Sequence, residues 1–141
     1  MTTLDAPKTD YSSSLRWLVP TIAVGVIMIL AGAPKLADNA RLYEPFVEFG
    51  WPRWTYFATG FAEVGGGLAL LWRATRPIGG LVIAAAMAGA ILTNAVNGDV
   101  GFIPVNLVLG ATATAAAWHW SGLSFARQFE EGEAVQRLNL P

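Results

Sequence analysis

Four apolar stretches dominate this sequence of 141 residues, and each is long enough to cross a lipid bilayer. A membrane-spanning helix needs about 17 to 25 mostly apolar residues. The stretches occupy residues 17–33, 54–72, 78–96 and 102–120 and carry almost no charge. Because they make up more than half of the chain, the sequence predicts an all-α membrane protein, a bundle of four transmembrane helices.

The domain organisation follows from these stretches. We predict a disordered cytoplasmic tail at residues 1–15, a four-helix transmembrane domain at 16–120 and a cytoplasmic C-terminal tail at 121–141. The predicted helices are residues 17–36, 54–72, 78–96 and 102–120. Cleavage of the first stretch as a signal peptide is disfavoured, because Pro34 would directly follow the small-residue cleavage site.

Basic residues predict the orientation of the bundle. With four spans, the two termini and the second loop share one side of the membrane, and six basic residues lie there: Lys8, Arg16, Arg73, Arg76, Arg127 and Arg137. The other side has Lys35, Arg41 and Arg53. Since cytoplasmic loops are enriched in Lys and Arg, both termini are expected in the cytoplasm.

The first outer loop, residues 34–53, is long enough for a short helix of its own. Asp38 or Asn39 can cap such a helix, and Leu42, Phe46 and Phe49 would share its apolar face. The segment would lie along the outer interface or fold over the mouth of the bundle as a lid, and both arrangements stay open. A proline at position 45 predicts that this helix does not continue beyond its first turn.

Composition excludes several kinds of function. A net charge of −1 argues against a nucleic-acid surface. The absence of cysteine excludes disulfides, thiolate catalysis and iron–sulfur ligation, and a single histidine, His119, cannot supply two axial ligands to a haem. We therefore expect no metal site, no cofactor bound by this chain alone and no catalytic activity of its own.

Four polar residues lie within or beside the spans, each on a helix face of small residues: Lys35, Glu63, Asn94 and Asn106. Such faces pack against neighbouring helices in lipid. Nine residues below Trp54, at 1.5 Å per residue, Glu63 lies roughly 13 Å inside its helix. All four residues belong to the outer half of an antiparallel bundle, where we expect a polar cluster.

Glu63 is the residue whose position most needs a reason, because a carboxylate inside the bilayer is costly. Pairing with Lys35 or holding a proton would reduce that cost. The residue is then either a structural lock, bonded to Lys35 or to the amides of Asn94 and Asn106, or a site for a ligand or a proton. Both readings remain open from the sequence.

Several motifs resemble the DoxX and DoxX-like family of small membrane proteins. The end of the first helix at residues 31–36 (AGAPKL) resembles the family's G-x-x-K-L ending. The further matches are residues 49–52 (FGWP), 63–68 (EVGGGL), 73–76 (RATR) and 87–90 (MAGA). The resemblance covers about residues 16–118.

This resemblance implies a four-helix protein of the cytoplasmic (inner) membrane of a prokaryote, with Lys35 and Glu63 as important positions. The family's namesake is the small subunit of an archaeal membrane complex that links thiosulfate oxidation to quinone. The sequence departs from many relatives at Asn94, where a histidine-rich helix end is expected, and this departure argues against a metal or haem.

Two functions are expected from these observations. The first is an accessory or anchoring membrane subunit of a larger, redox and quinone-linked complex, with other protein subunits as partners and a homo-oligomer as a further option. The alternative is binding or transport of a small lipidic molecule or quinone in an outer-leaflet pocket at Lys35, Glu63, Asn94 and Asn106. A stand-alone enzyme is disfavoured by the small number of catalytic groups.

Overall fold

The structure, a computed structural model, describes residues 11–138, with side chains over residues 15–122. This part of the chain forms five α-helices and no strand. They are α1 (Tyr11–Leu36), α2 (Ala40–Glu48), α3 (Arg53–Leu71), α4 (Arg76–Val96) and α5 (Ile103–Leu138). The all-α prediction is confirmed.

Two of the described helices are long and apolar enough to cross a membrane by length and composition. They are residues Leu15–Leu36 of α1 and Arg76–Val96, the whole of α4. With 19 and 36 residues, α3 and α5 are also long enough. Polar residues lower the mean hydropathy of these two helices, among them Glu63 in α3 and Asn106 and His119 in α5.

The long helices pack in the spatial order α1, α3, α4, α5. The contacts of α1 with α3 and of α4 with α5 are the most extensive, whereas α1 and α5 touch over a small area. Buried side chains from the four helices meet in one hydrophobic core formed by Val24, Met28, Leu70, Ile83, Met87 and Ala113. The core fills the middle of the bundle and leaves the end near Lys35 less densely packed.

Glycines set the distances between these helices. A Cβ atom at Gly67 would lie 2.6 Å from the carbonyl oxygen of Gly25, and one at Gly32 would lie 2.8 Å from that of Gly60. The α4–α5 contact is equally close, since a Cβ at Gly80 would lie 2.6 Å from the carbonyl oxygen of Ala113. Such small-residue contacts are how helices associate where lipid, rather than water, surrounds them.

The short helix α2 differs from its prediction in length. Asn39 caps it by accepting a hydrogen bond from the backbone N–H of Arg41 at 3.1 Å. The prediction that Pro45 ends the helix after one turn is wrong, since α2 continues to Glu48. Proline removes a single backbone N–H there, and α2 has no buried residue, so water can satisfy the carbonyl left without a partner.

The ends of the first and last helices, α1 and α5, also differ from their predicted limits. Helix α1 begins at Tyr11, inside the predicted N-terminal tail, and residues 1–10 lie outside the described residues. Helix α5 continues through most of the predicted C-terminal tail to Leu138. The segment beyond residue 120 contains no proline until Pro141 and is rich in alanine, glutamate, glutamine and arginine, all good helix formers.

Two neighbouring glycines of α3 test the close packing of α1 and α3. Gly67→Ala places a methyl group against the Gly25 backbone and should lower the free energy of unfolding in detergent by about 1–3 kcal/mol. Gly65→Ala is the matched control, because no atom lies within 4 Å of the added Cβ. That control should leave stability unchanged or raise it by up to about 1 kcal/mol. Equal effects of the two substitutions on thermal unfolding would contradict the packing described here.

Candidate functional site

A cavity of about 450 Å³ lies at the end of the bundle where α1 ends and α3 begins. Each of the five helices contributes at least one residue to its wall. The wall includes all four polar residues singled out in the sequence: Lys35, Glu63, Asn94 and Asn106. The structure therefore brings these four residues to one place.

Lys35 and Glu63 form an ion pair at this cavity. The Lys35 Nζ donates hydrogen bonds to both carboxylate oxygens of Glu63, at 2.5 and 2.7 Å. The side chains are 17% and 8% exposed. Because an unpaired buried charge is strongly unfavourable, the lysine offsets the cost of placing a carboxylate there and joins α1 to α3.

Glycines make this pairing possible. The position of a Cβ on Gly60 lies 3.1 Å from the Cβ of Lys35, and that of a Cβ on Gly32 lies 2.8 Å from the Cβ of Glu63. Larger residues at these positions would push the two helices apart. The ion pair therefore depends on the same close contact that holds α1 against α3.

The two asparagines at the cavity do not take part in the ion pair. Asn94 and Asn106 are half-buried, and their side-chain amides make no hydrogen bond within the described part of the chain. Glu63 is held by Lys35 without them. Each amide keeps two N–H donors and one carbonyl acceptor available to a molecule in the cavity.

Three other polar side chains in the wall are engaged locally. The Thr55 hydroxyl donates to the Pro52 carbonyl at 2.7 Å, and the Thr59 hydroxyl donates to the Tyr56 carbonyl at 2.8 Å. Asp99 accepts a hydrogen bond from the Gly101 N–H at 3.3 Å. Among the described residues of the wall, the groups without a hydrogen bond are the amides of Asn94 and Asn106, the Thr93 hydroxyl and the Trp51 indole N–H.

Apolar and aromatic side chains make up much of the remaining wall: Phe46, Phe49, Trp51, Ala86, Met87, Ala90 and Phe102. An apolar cavity with a few well-placed polar groups is the usual form of a small-molecule site. Among the described residues, no group of three or more His, Asp or Glu side chains lies close enough to hold a metal ion. The site is suited to a molecule with an apolar body and a hydrogen-bonding end.

Helix α2 contributes Pro45 and Phe46 to the cavity wall and is held in place by Tyr56. The fully buried Tyr56 donates a hydrogen bond from its hydroxyl to the Asn39 carbonyl at 3.0 Å. The rings of Tyr43 and Phe46 pack edge-on against it, with centroids 5.3 Å away. The sequence alone did not single out Tyr56 as the residue that anchors α2.

His119 lies at the opposite end of the bundle from the cavity. Its ring stacks on Trp17 with centroids 5.5 Å apart and meets Trp120 edge-on. Its position in the sequence, at the end of the fourth apolar stretch, lies away from the predicted polar cluster. The structure likewise keeps it apart from the cavity.

The chain matches the model of the DoxX-like family over residues 19–116. The matched range includes the whole cavity wall. No curated protein and no solved structure matches the chain.

The ion pair is tested by removing one partner and then both. Lys35→Met leaves a buried carboxylate without a partner and should lower the free energy of unfolding by about 3–5 kcal/mol. The double variant Lys35→Met with Glu63→Gln removes both charges and should recover much of this loss in detergent unfolding. Additive effects of the two substitutions would show that the two side chains are not coupled.

Proposed function

The chain belongs to the DoxX-like family, and we propose that it is a membrane protein with four spans whose outer cavity binds a small amphipathic molecule. Quinones and lipids are the candidate ligands. The observation that carries this proposal is the pair of unbonded amides, Asn94 and Asn106, in a largely apolar cavity beside a neutralised carboxylate.

Exposed apolar residues on α3 and α5 support four spans rather than two. Phe61 and Leu68 of α3 are 67% and 55% exposed, and Leu107 and Val108 of α5 are 54% and 65% exposed. A water-soluble surface rarely carries such large apolar patches. Lipid covering these faces, as well as those of α1 and α4, accounts for their composition.

The turns between the helices support the proposed orientation. The turn from α3 to α4 contains Arg73 and is followed by Arg76, whereas residues 97–102 between α4 and α5 contain no basic residue. The positive-inside rule then places the α3–α4 turn in the cytoplasm and the cavity towards the outer leaflet. Both termini are on the cytoplasmic side of the inner membrane in this arrangement.

The charges of the site disfavour an anionic ligand. Lys35 and Glu63 cancel one another, and the remaining charged side chain of the wall, Asp99, is acidic, so the cavity offers no unpaired basic group to an anion. The Asn94 and Asn106 amides can donate to a carbonyl oxygen or accept from a hydroxyl. A ring or chain with carbonyl or hydroxyl groups would fit both the polar and the aromatic parts of the wall.

The length of α5 favours a second candidate function, that of an accessory or anchoring subunit. Residues 121–138 extend this helix by about 27 Å at 1.5 Å per residue, beyond the span predicted for it. Such an extension would reach into the cytoplasm and offer a partner protein a helix to dock on. A redox, quinone-linked partner remains the prediction that the family resemblance suggests.

Ligand binding is tested by mass spectrometry of small molecules and proteins that co-purify with the chain from its native membrane. We expect one defined compound at near-stoichiometric amount, lost in Ala90→Trp because this residue lines the cavity. Asn106→Leu should reduce the occupancy about fivefold, the effect of one hydrogen bond of about 1 kcal/mol.

The matched control is Ala88→Trp, since Ala88 is exposed on the same helix and lies outside the cavity wall. It should retain the compound. Equal retention by all the variants would contradict binding in the cavity, and a stoichiometric redox protein with no small molecule would favour the accessory subunit.

The four-span arrangement is tested by cysteine labelling, which the absence of native cysteine makes straightforward. A membrane-impermeant maleimide applied to intact cells should label Val100→Cys in the α4–α5 turn, where Val100 is 67% exposed, and leave Ala74→Cys in the α3–α4 turn unmodified. Permeabilising the cells should expose Ala74→Cys. Labelling of both positions in intact cells would contradict the topology.

A further inference from the structure

Arg76 is a buried arginine at the end of the bundle opposite the cavity, and no carboxylate among the described side chains pairs with it. It is 8% exposed and is the first residue of α4. Its Nε donates to the Leu70 carbonyl at 3.2 Å. The remaining N–H groups of the guanidinium make no hydrogen bond to any described residue.

The orientation of this guanidinium is fixed by its neighbours. Its central carbon lies 4.4 Å from the centroid of the Trp120 ring. The indole of Trp120 donates in turn to the hydroxyl of Thr21 at 3.1 Å, and Thr21 is fully buried. The unbonded N–H groups of Arg76 are thus held in a preset position by α1, α4 and α5.

The charge at this end of the bundle is not balanced within the described side chains. Arg16, Arg73 and Arg76 all lie there. The acidic residues whose side chains are described all belong to the cavity end or to α2 beside it: Asp38, Glu44, Glu48, Glu63 and Asp99. A desolvated cation without a counter-ion is unfavourable, so an anion from outside the described residues would stabilise this end.

The surroundings of Arg76 have the character of a membrane interface. Trp72 and Trp118 are 72% and 83% exposed at this end, and tryptophan is enriched at the depth of lipid headgroups. Arginine binds phosphate through two parallel N–H groups, and basic pockets between transmembrane helices bind anionic headgroups. A phosphate at this depth would meet the guanidinium while its acyl chains lie against the exposed indoles.

From these contacts we propose that Arg76, with Arg73, binds the phosphate of an anionic phospholipid. Arg76 supplies the oriented N–H groups, and the exposed Arg73 in the preceding turn adds positive charge. The site is separate from the cavity and does not depend on what the cavity binds. The bound lipid would complete the charge balance of the α3–α4 turn.

Thermal unfolding of the full chain in detergent tests this proposal, with short-chain phosphatidylglycerol and phosphatidylcholine of the same acyl length as probes. Phosphatidylglycerol should raise the melting temperature of the wild type more than phosphatidylcholine does. Arg73→Gln, at an exposed position, should fold normally and weaken the apparent affinity about fivefold, the effect expected for one basic residue near an anionic lipid. Arg76→Gln should weaken it further.

Arg41→Gln is the matched control, because Arg41 is an exposed arginine on α2 at the other end of the bundle. It should bind phosphatidylglycerol like the wild type. An equal shift with inorganic phosphate at the same concentration would identify a soluble anion, rather than a lipid, as the source of the phosphate. Equal shifts with the two lipids, or unchanged affinity in Arg73→Gln and Arg76→Gln, would overturn the proposal.

Discussion

The ion pair between Lys35 and Glu63 is the interaction on which the cavity end of the bundle depends. The Glu63 side chain, which is 8% exposed, requires a partner, and Lys35 of α1 supplies it. The lysine reaches it because Gly32 and Gly60 let the two helices approach until no Cβ would fit between them. The pair is satisfied without Asn94 or Asn106, so the space beside it remains available to another molecule.

The polar groups at the two ends of the bundle have different bonding partners. At the cavity end, Lys35 and Glu63 neutralise each other, and the amides of Asn94 and Asn106 have no partner among the described residues. At the other end, Trp17 packs on His119 and Trp120 bonds to Thr21, so that α1 and α5 meet there. The bundle is therefore closed at the end near Trp120 and has a cavity for a small molecule at the end near Lys35.

Much of the fold could be predicted from the sequence, because long apolar runs and short connections leave few arrangements for the helices. The convergence of Lys35, Glu63, Asn94 and Asn106 also followed from antiparallel packing and the rise of a helix. The continuation of α2 through Pro45 could not be predicted, since it depends on solvent exposure. The burial of Arg76 could not be predicted either. A basic residue at the start of a helix looks the same in the sequence whether water or a tryptophan ring covers it.

A cryo-electron microscopy structure of the protein in nanodiscs that retain its native lipids tests the central claim most directly. The account predicts elongated non-protein density in the cavity, with its polar end within hydrogen-bond distance of Asn94 or Asn106 and the Lys35–Glu63 pair intact beside it. A cavity closed by inward movement of Phe46 and Phe49, with the asparagine amides bonded to protein groups, would contradict it.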